Sequence, residues 1–214
     1  MLLTKTLKEE QFDIISLQQY SKGYSDEGFA SLEYIVREIR KLQPEAQIVM
    51  YQTWSGYNTL ASKRNSTFLN TIEPSLKKWA TYVPTLVDGI TYDNGPMTII
   101  PAGLAFYLAD NKYDIFSVKY PEGETNTNAG AQLSDAEEFA AATGLFRDGE
   151  HVSYYGCYLA DACWYEILTG KMAPVIDNNG NAVVKKPNTI DEIEHLRRLE
   201  ILRDIAHEAI IDNK

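Results

Sequence analysis

An α/β fold built on a mainly parallel sheet is what the sequence predicts, and three observations predict it. Short apolar runs stand at residues 12–19, 46–51 and 97–103, each without the polar alternation of a half-solvated strand. An amphipathic helical stretch lies between the first two, and a second such region with a turn-rich segment lies between the second and the third. Strands that alternate with helices argue for a three-layer α/β/α arrangement, in which ligands sit outside the carboxyl ends of the strands.

The first run, Phe12-Asp13-Ile14-Ile15-Ser16-Leu17-Gln18-Gln19, turns polar at its end, as a buried parallel strand does where it leaves the sheet. A helix is expected over residues 27–42. There Phe29, Leu32, Ile35, Val36, Ile39 and Leu42 recur at intervals of three and four, while Glu33, Arg37, Glu38, Arg40 and Lys41 occupy the other faces. Pro44 follows, and the second strand at 46–51 runs into Gln52-Thr53-Trp54-Ser55-Gly56, completing a βαβ unit. An amphipathic region at 67–83 leads through Tyr92-Asp93-Asn94-Gly95-Pro96 to the third strand at 97–103, and a helix is expected over 104–109. Residues 122–134 read as a polar loop, and 175–184, with Asn179-Gly180 at its middle, as a hairpin. Thr189 and Glu192 have the spacing of a capping box ahead of a final helix carrying Ile193, Leu196, Leu199, Leu202, Ile205, Ala206 and Ile210 on one face. His195 and His207 on that charged helix are expected to face solvent.

Composition bounds the function. At 214 residues, 44% hydrophobic and 23% charged, the chain is expected to form one domain, residues 1–214, around a sizeable core. A formal net charge of −10, with no basic stripe, argues against nucleic acid or an anionic membrane surface as a partner. The first ten residues are too polar for a signal peptide, and no later run approaches a membrane span, so a soluble protein is expected. Cys157 and Cys163, six residues apart on one expected helix, are separated by a rise of roughly 9 Å, beyond disulfide reach. Two free thiols leave the compartment open. Nothing in the sequence calls for a metal or a cofactor.

The chemistry concentrates near residue 150. Phe146-Arg147-Asp148-Gly149-Glu150-His151 runs into Val152-Ser153-Tyr154-Tyr155-Gly156 and then an apolar helix that ends at Leu168-Thr169-Gly170. Asp148 and His151 stand three apart in a loop just before that helix, a spacing that lets both side chains serve one cleft. In a triad the imidazole takes the nucleophile's proton while the carboxylate fixes its tautomer and stabilises the imidazolium. The plainer reading of Asp148 is a turn cap beside Gly149. Gln18, Gln19 and Gln52 at strand ends either line a cleft or bond the local backbone, and Trp54 is either a stacking surface for a ligand or part of the core. Trp164 and Tyr165 are read as packing residues.

Asp148-Gly149-Glu150-His151, followed by Ser153, Gly156 and a Tyr-, Leu- and Ala-rich helix, resembles the last block of the SGNH (GDSL-type) hydrolases, a superfamily of α/β/α esterases and lipases with a flavodoxin-like sheet. The segment from Asp13 to Ser21, Tyr51-Gln52-Thr53-Trp54, Ile100-Pro101-Ala102-Gly103 and the stretch from Tyr158 to Glu166 are similar to one bacterial branch of that superfamily, so in order and spacing the resemblance covers nearly the whole chain. The resemblance implies a serine ester hydrolase that removes acyl groups from a carbohydrate or another small ester, with His151 and Asp148 as catalytic residues. Gln18 or Gln19, with Gln52, would surround the oxyanion in place of the family's usual asparagine, because an amide donates as asparagine does. Strand alternation sends Gln18 and Gln19 to opposite faces unless the strand has already ended.

The family's first strand ends in Gly-Asp-Ser or Gly-Asn-Ser, which carries the nucleophile, and neither tripeptide occurs in this sequence. Met1 to Gln11 reads as the tail of a helix before what would be an interior strand, so the first strand is expected to be absent and the domain incomplete at its N-terminus. Among internal serines, Ser16 is expected to be buried in a strand and Ser153 adjoins the histidine loop. Ser21 and Ser55 lie just past strand ends, without the tight turn into a helix that exposes an activated hydroxyl. The alternative reading is a non-catalytic carbohydrate- or ligand-binding or interaction module on the same fold, its cleft lined by Trp54, Tyr24 and the glutamines. An open sheet edge would also invite self-association.

Overall fold

The computed structural model of the chain describes residues 2–19, 25–54, 68–82, 97–113, 144–146 and 152–213. The packing divides into two compact units, the first made of Met1–Thr53 and Leu69–Ile100, the second of Trp54–Phe68 and Pro101–Lys214.

The first unit holds the sheet. Helix α1, Leu2–Glu9, precedes strand β1, Ile14–Gln18; helix α2, Asp26–Leu42, leads to β2, Gln47–Tyr51. A π-helical turn, Phe68–Ile72, which belongs to this unit from Leu69 on, opens directly into α3, Glu73–Tyr82, and β3, Thr98–Ile100, closes the set. The strands lie in the order β1-β2-β3 and every pairing is parallel, with Ile14 opposite Gln47, Gln18 opposite Tyr51, and Tyr51 also opposite Ile100. The chain is therefore an α/β protein with its strand carboxyl ends on one side, as the sequence predicts.

Local chemistry sets the element ends. Ser25 caps α2, its hydroxyl accepting the Gly28 amide at 3.2 Å, with Asp26 and Glu27 in the first turn and Arg40 and Lys41 in the last, each sign suited to the helix dipole. Leu32, Val36, Ile39 and Arg40 form the buried face of α2. The Arg40 head group reaches the Ala46 carbonyl at 2.6 Å, which ties the end of the helix to the start of β2. Gln43, just past α2, is buried: its amide nitrogen donates to the carbonyls of Leu7 and Glu10, each at 2.7 Å, and its oxygen accepts the Phe12 amide at 3.1 Å. One side chain thus joins the end of α1, the lead into β1 and the end of α2.

The strands differ in burial as their places in the sheet require. β2, paired on both sides, has Ile48, Val49, Met50 and Tyr51 buried, whereas β1 alternates between exposed and half-buried residues. Ser16 is consequently exposed and not buried as the sequence suggests. An apolar run reads alike in a central strand and in one paired on a single side, and here β1 pairs only with β2 among the described residues. The third strand is shorter than expected, and the helix after it longer. Pro101 breaks from β3, and α4 runs over Ala102–Lys112 with Ala102 to Phe106, Leu108 and Ala109 buried. A helix apolar nearly all round cannot be told from a strand by periodicity.

In the second unit α4 packs with α5, Tyr154–Thr169, and α6, Glu192–Asp212, and the last two pack on each other. Leu159 and Cys163 on α5, and Leu199, Leu202, Ile205 and Ala209 on α6, are almost completely buried. Ser153 caps α5 and Gly170 ends it in the left-handed region, φ 69°, where a side chain would be strained. Tyr158 donates from its hydroxyl to the Pro174 carbonyl at 3.1 Å, folding the chain after α5 back along that helix. The expected hairpin is present as a single antiparallel bridge, Ile176 to Ala182, turned by Gly180 at φ 84° and by Asp177, whose carboxylate accepts the amides of Asn179 and Asn181.

Three expectations for α6 are corrected. Its cap is Asp191, accepting the Glu194 amide at 2.8 Å, and not Thr189 with Glu192; a turn from Pro187 to Ile190 delays the helix by two residues. His195 is completely buried and not solvated. Its Nε2 lies 2.8 Å from the Val184 carbonyl, which only accepts, so that nitrogen carries a proton; in the Nε2-protonated tautomer Nδ1 accepts the Tyr155 hydroxyl at 2.7 Å. His207 pairs with Glu166 of α5 at 2.5 Å. Both histidines fall on the side of α6 that meets α5, a geometry the charge pattern conceals. Trp164 is half-buried but Tyr165 is exposed, so only the first fits a packing role.

Gln43→Ala leaves two carbonyls and one amide without the side chain that bonds them. It is expected to lower stability by about 1–3 kcal/mol in urea unfolding, with faster amide exchange in α1. The two backbone amides on Asp177 hold its carboxyl below the usual carboxylate range. With a folded pKa below the unfolded one, the turn's support is present above the ordinary carboxylate range and is lost as pH falls through the folded value, so the amide resonances of Asn179 and Asn181 should move together in that acid window.

Candidate functional site

Two groups of sequence-predicted residues fall in different units. In the first, β1 ends at Gln18, which is exposed, and Gln19 follows it half-buried, outside the strand. The Gln19 carbonyl accepts the Thr53 hydroxyl at 3.3 Å, so the exits of β1 and β2 are tied. Because the strand has ended, strict alternation no longer governs where Gln19 points. Gln52 lies immediately past β2, fully buried, and its backbone amide donates to the Ile100 carbonyl at 3.0 Å, which extends the β2–β3 pairing by one bond.

In the second unit Trp54 is half-buried and stacks on Phe106 of α4, with centroids 4.9 Å apart and planes at 30°. Phe106 in turn meets Phe146 at 5.3 Å in a tilted arrangement. Offset and tilted rings of this kind gain from their quadrupoles beyond the area they bury. Trp54 therefore has a structural partner, and the ladder it begins ends on the residue that opens the Asp148–His151 segment. Asp148 and His151 themselves, with Tyr24, Ser21 and Ser55, lie outside the described residues.

The two ends of that segment are described, and they are fastened to each other. Phe146 and Val152 form an antiparallel bridge. One residue on, the Ser153 amide donates to the Leu145 carbonyl at 2.9 Å, and the buried Ser153 hydroxyl donates to the Gly144 carbonyl at 2.5 Å while accepting the Gly156 amide at 3.1 Å. A single side chain thereby caps α5 and holds the strand-like piece 144–146 against it. Gly156 makes the approach possible. A Cβ at that position would lie 2.2 Å from the Leu145 carbonyl oxygen, far inside contact distance.

Beside this clamp, burial pushes the Tyr155 phenol upward, with the Arg198 guanidinium 5.9 Å from its ring centre as an opposing influence, so the hydroxyl stays a donor to His195. Burial likewise pushes the Cys163 thiol up, which removes it as a nucleophile at neutral pH, while Cys157 is exposed. Among the described residues, no three His, Cys, Asp or Glu side chains gather to hold a metal ion, and no helix is long and apolar enough to cross a membrane.

Sequence reading singles out Trp54 and the Asp148–His151 pair but passes over Phe106, Phe146 and the work of Ser153 and Gly156. The signal for Ser153 is present, since a serine directly before an apolar helical run marks an N-cap, whereas the close approach that Gly156 permits has no such mark. The aromatic ladder has no sequence signal, because its members are separated by dozens of residues.

No family model matches the chain, and no curated protein matches it. A solved structure, a DUF4886 family protein from Bacteroides uniformis, is similar over 99% of this chain and 68% of its own length, with a TM-score of 0.58 and 21% identity. At that identity the likeness is one of fold.

Phe106 is buried between two aromatic partners, and Phe106→Ala is expected to cost about 3–5 kcal/mol in denaturant unfolding. Its loss should also red-shift tryptophan fluorescence as Trp54 gains water, a change that Phe106→Leu should largely avoid.

Proposed function

We propose that the chain carries the acid–base half of a serine ester hydrolase of the SGNH type, acting on acylated carbohydrates or other small esters. The observation that carries this reading is the Asp-x-x-His spacing at Asp148 and His151, placed between Phe146 and Val152, whose bridge brings the two ends of that short segment together directly before a capped helix. Support also comes from the parallel sheet, whose strand ends are where such folds bind ligands.

In this mechanism a serine hydroxyl attacks the ester carbonyl carbon and passes its proton to His151. Asp148 orients the imidazole and stabilises its charged form. The resemblance implies amide donors for the tetrahedral oxyanion at Gln18 or Gln19 and at Gln52. Collapse expels the alcohol, protonated by His151, and water then hydrolyses the acyl-enzyme by the same proton path. Trp54 offers an aromatic surface for the sugar or the acyl group. No metal or cofactor takes part in this scheme.

A second reading is favoured by one feature of the sequence, the lack of any Gly-Asp-Ser or Gly-Asn-Ser tripeptide. Without a nucleophile the same fold serves as a carbohydrate- or ligand-binding module. Activity separates the two. The purified chain is expected to hydrolyse short nitrophenyl esters weakly at most, since loss of a triad member leaves only roughly 10³–10⁴-fold catalysis over water. Joining a strand that ends in Gly-Asn-Ser ahead of residue 1 should confer turnover that His151→Ala abolishes. Robust turnover by the chain alone that persists in His151→Ala would refute the hydrolase scheme. Saturable binding of an acylated sugar with no turnover in either form would favour the binding module.

A further inference from the structure

We infer that the outer face of α5 is an interface between two copies of this chain, packed antiparallel about a two-fold axis at Asp161. The dimer is weak and concentration-dependent. It does not depend on the hydrolase reading.

A helix at a protein surface turns its charged side outward. Helix α2 does so, with the pairs Glu33–Arg37 and Glu38–Lys41 away from its buried face. Helix α5 does not. Its 16 residues include two charges, Asp161 and Glu166, and Glu166 is taken up by His207 of α6. The exposed residues of α5 are Tyr154, Cys157, Asp161, Tyr165, Leu168 and Thr169, with Tyr154 63%, Tyr165 40% and Leu168 47% open to solvent. Five of them, all but Thr169, recur at intervals of three and four and so form one stripe along the helix, apolar except at Asp161.

The spacing of the stripe sets what fits it. Tyr154 and Cys157 stand seven and four residues before Asp161, and Tyr165 and Leu168 stand four and seven after it. When two identical helices pair antiparallel about residue 161, Tyr154 of one copy faces Leu168 of the other, Cys157 faces Tyr165, and Asp161 faces itself. A face with that symmetry is complementary to its own copy, as an isologous contact requires. An unrelated partner places no such condition on the spacing.

Area sets the strength. A fully exposed aromatic side chain offers roughly 150–250 Å², so Tyr154 and Tyr165 together leave on the order of 200 Å² in water. Leu168 and Cys157 bring the patch to about 300–400 Å², the size at which an apolar patch on a monomer marks an interaction site. Two such faces with their rims bury on the order of 1,000 Å², below the ~1,200 Å² of a stable complex and in the range of transient ones. The like charges that meet at the axis weaken the contact further.

Sedimentation of the full chain between about 10 µM and 1 mM, which spans the affinities of small interfaces, should show the mean mass rising from one copy toward two. Tyr154→Lys and Leu168→Glu each set a charge against an apolar residue of the second copy, and each should raise the dissociation constant at least about tenfold. The double variant brings the two new charges together twice and should recover most of that loss. Asp161→Asn should tighten the dimer about fivefold, as the loss of one exposed like-charge contact implies. All these sites are exposed, and an unchanged circular dichroism spectrum verifies that each variant folds. In a Cys157→Ser background, Asp161→Cys should give a disulfide-linked dimer under mild oxidation, because a residue on the axis meets its own copy within bridging distance, whereas Tyr154→Cys should not. A chain that stays monomeric at about 1 mM overturns the inference and gives the face to another occupant. A dimer indifferent to Leu168→Glu overturns it as well, and cross-linking through Tyr154→Cys in place of Asp161→Cys overturns the antiparallel register.

Discussion

Parallel pairing of β2 on both of its sides is the constraint on which the rest of the first unit depends. Val49 and Met50 are stripped of solvent, and their backbone groups find partners because β1 and β3 flank β2 in parallel at a fixed register. Parallel neighbours cannot be joined by a tight turn, so a crossover must intervene, and α2 with its apolar stripe is the crossover between β1 and β2. The same rule puts all three carboxyl ends together. Gln18, Gln19, Gln52 and Thr53 meet at one end of the sheet as a consequence of topology, before any of them has a chemical role.

The buried polar side chains are placed where elements have to be held at defined separations. Gln43 joins α1, the lead into β1 and the end of α2, Arg40 ties that helix to β2, and Ser153 closes the segment ahead of α5. Each bonds backbone outside the side chain's own element, over six residues for Arg40 and nine for Ser153 and over more than thirty for Gln43, and each is costly to leave unmade once water is excluded. Apolar burial supplies most of the driving force for such a fold, whereas these bonds specify which of several similar packings is adopted.

The sequence is legible where one physical signal dominates. The stripe of α2, the three parallel strands and the Asn179-Gly180 turn follow from periodicity and turn chemistry, and the structure places them within a few residues. It is less legible where two signals coincide. The run from Met97 to Ala109 is apolar throughout, so the change from strand to helix at Pro101 has no periodic mark. Two S/T/D-x-x-E patterns begin at Thr189 and Asp191, and only the turn at Pro187 to Ile190 decides between them. His195 is hidden more deeply, since it sits among charges in sequence, while its ring meets Tyr155 of α5 and the Val184 carbonyl from outside its own helix. For the candidate site, the strand-end glutamines and Trp54 were legible as positions, but the ring that supports Trp54 and the clamp on Gly144 arise from distant segments meeting.

The enclosure of His195 has a consequence for how this sequence can drift. Its imidazole and the Tyr155 phenol satisfy each other in a space closed to water, with the Val184 carbonyl taking the remaining proton. Replacing either ring alone strands a polar atom of the other, whereas replacing both by apolar residues of similar volume removes the need together. Positions 155 and 195, forty residues apart, therefore behave as a single unit of substitution. Among descendants of this sequence they should be kept as a pair or exchanged as a pair, and a chain carrying only one of them has to recruit another partner for it.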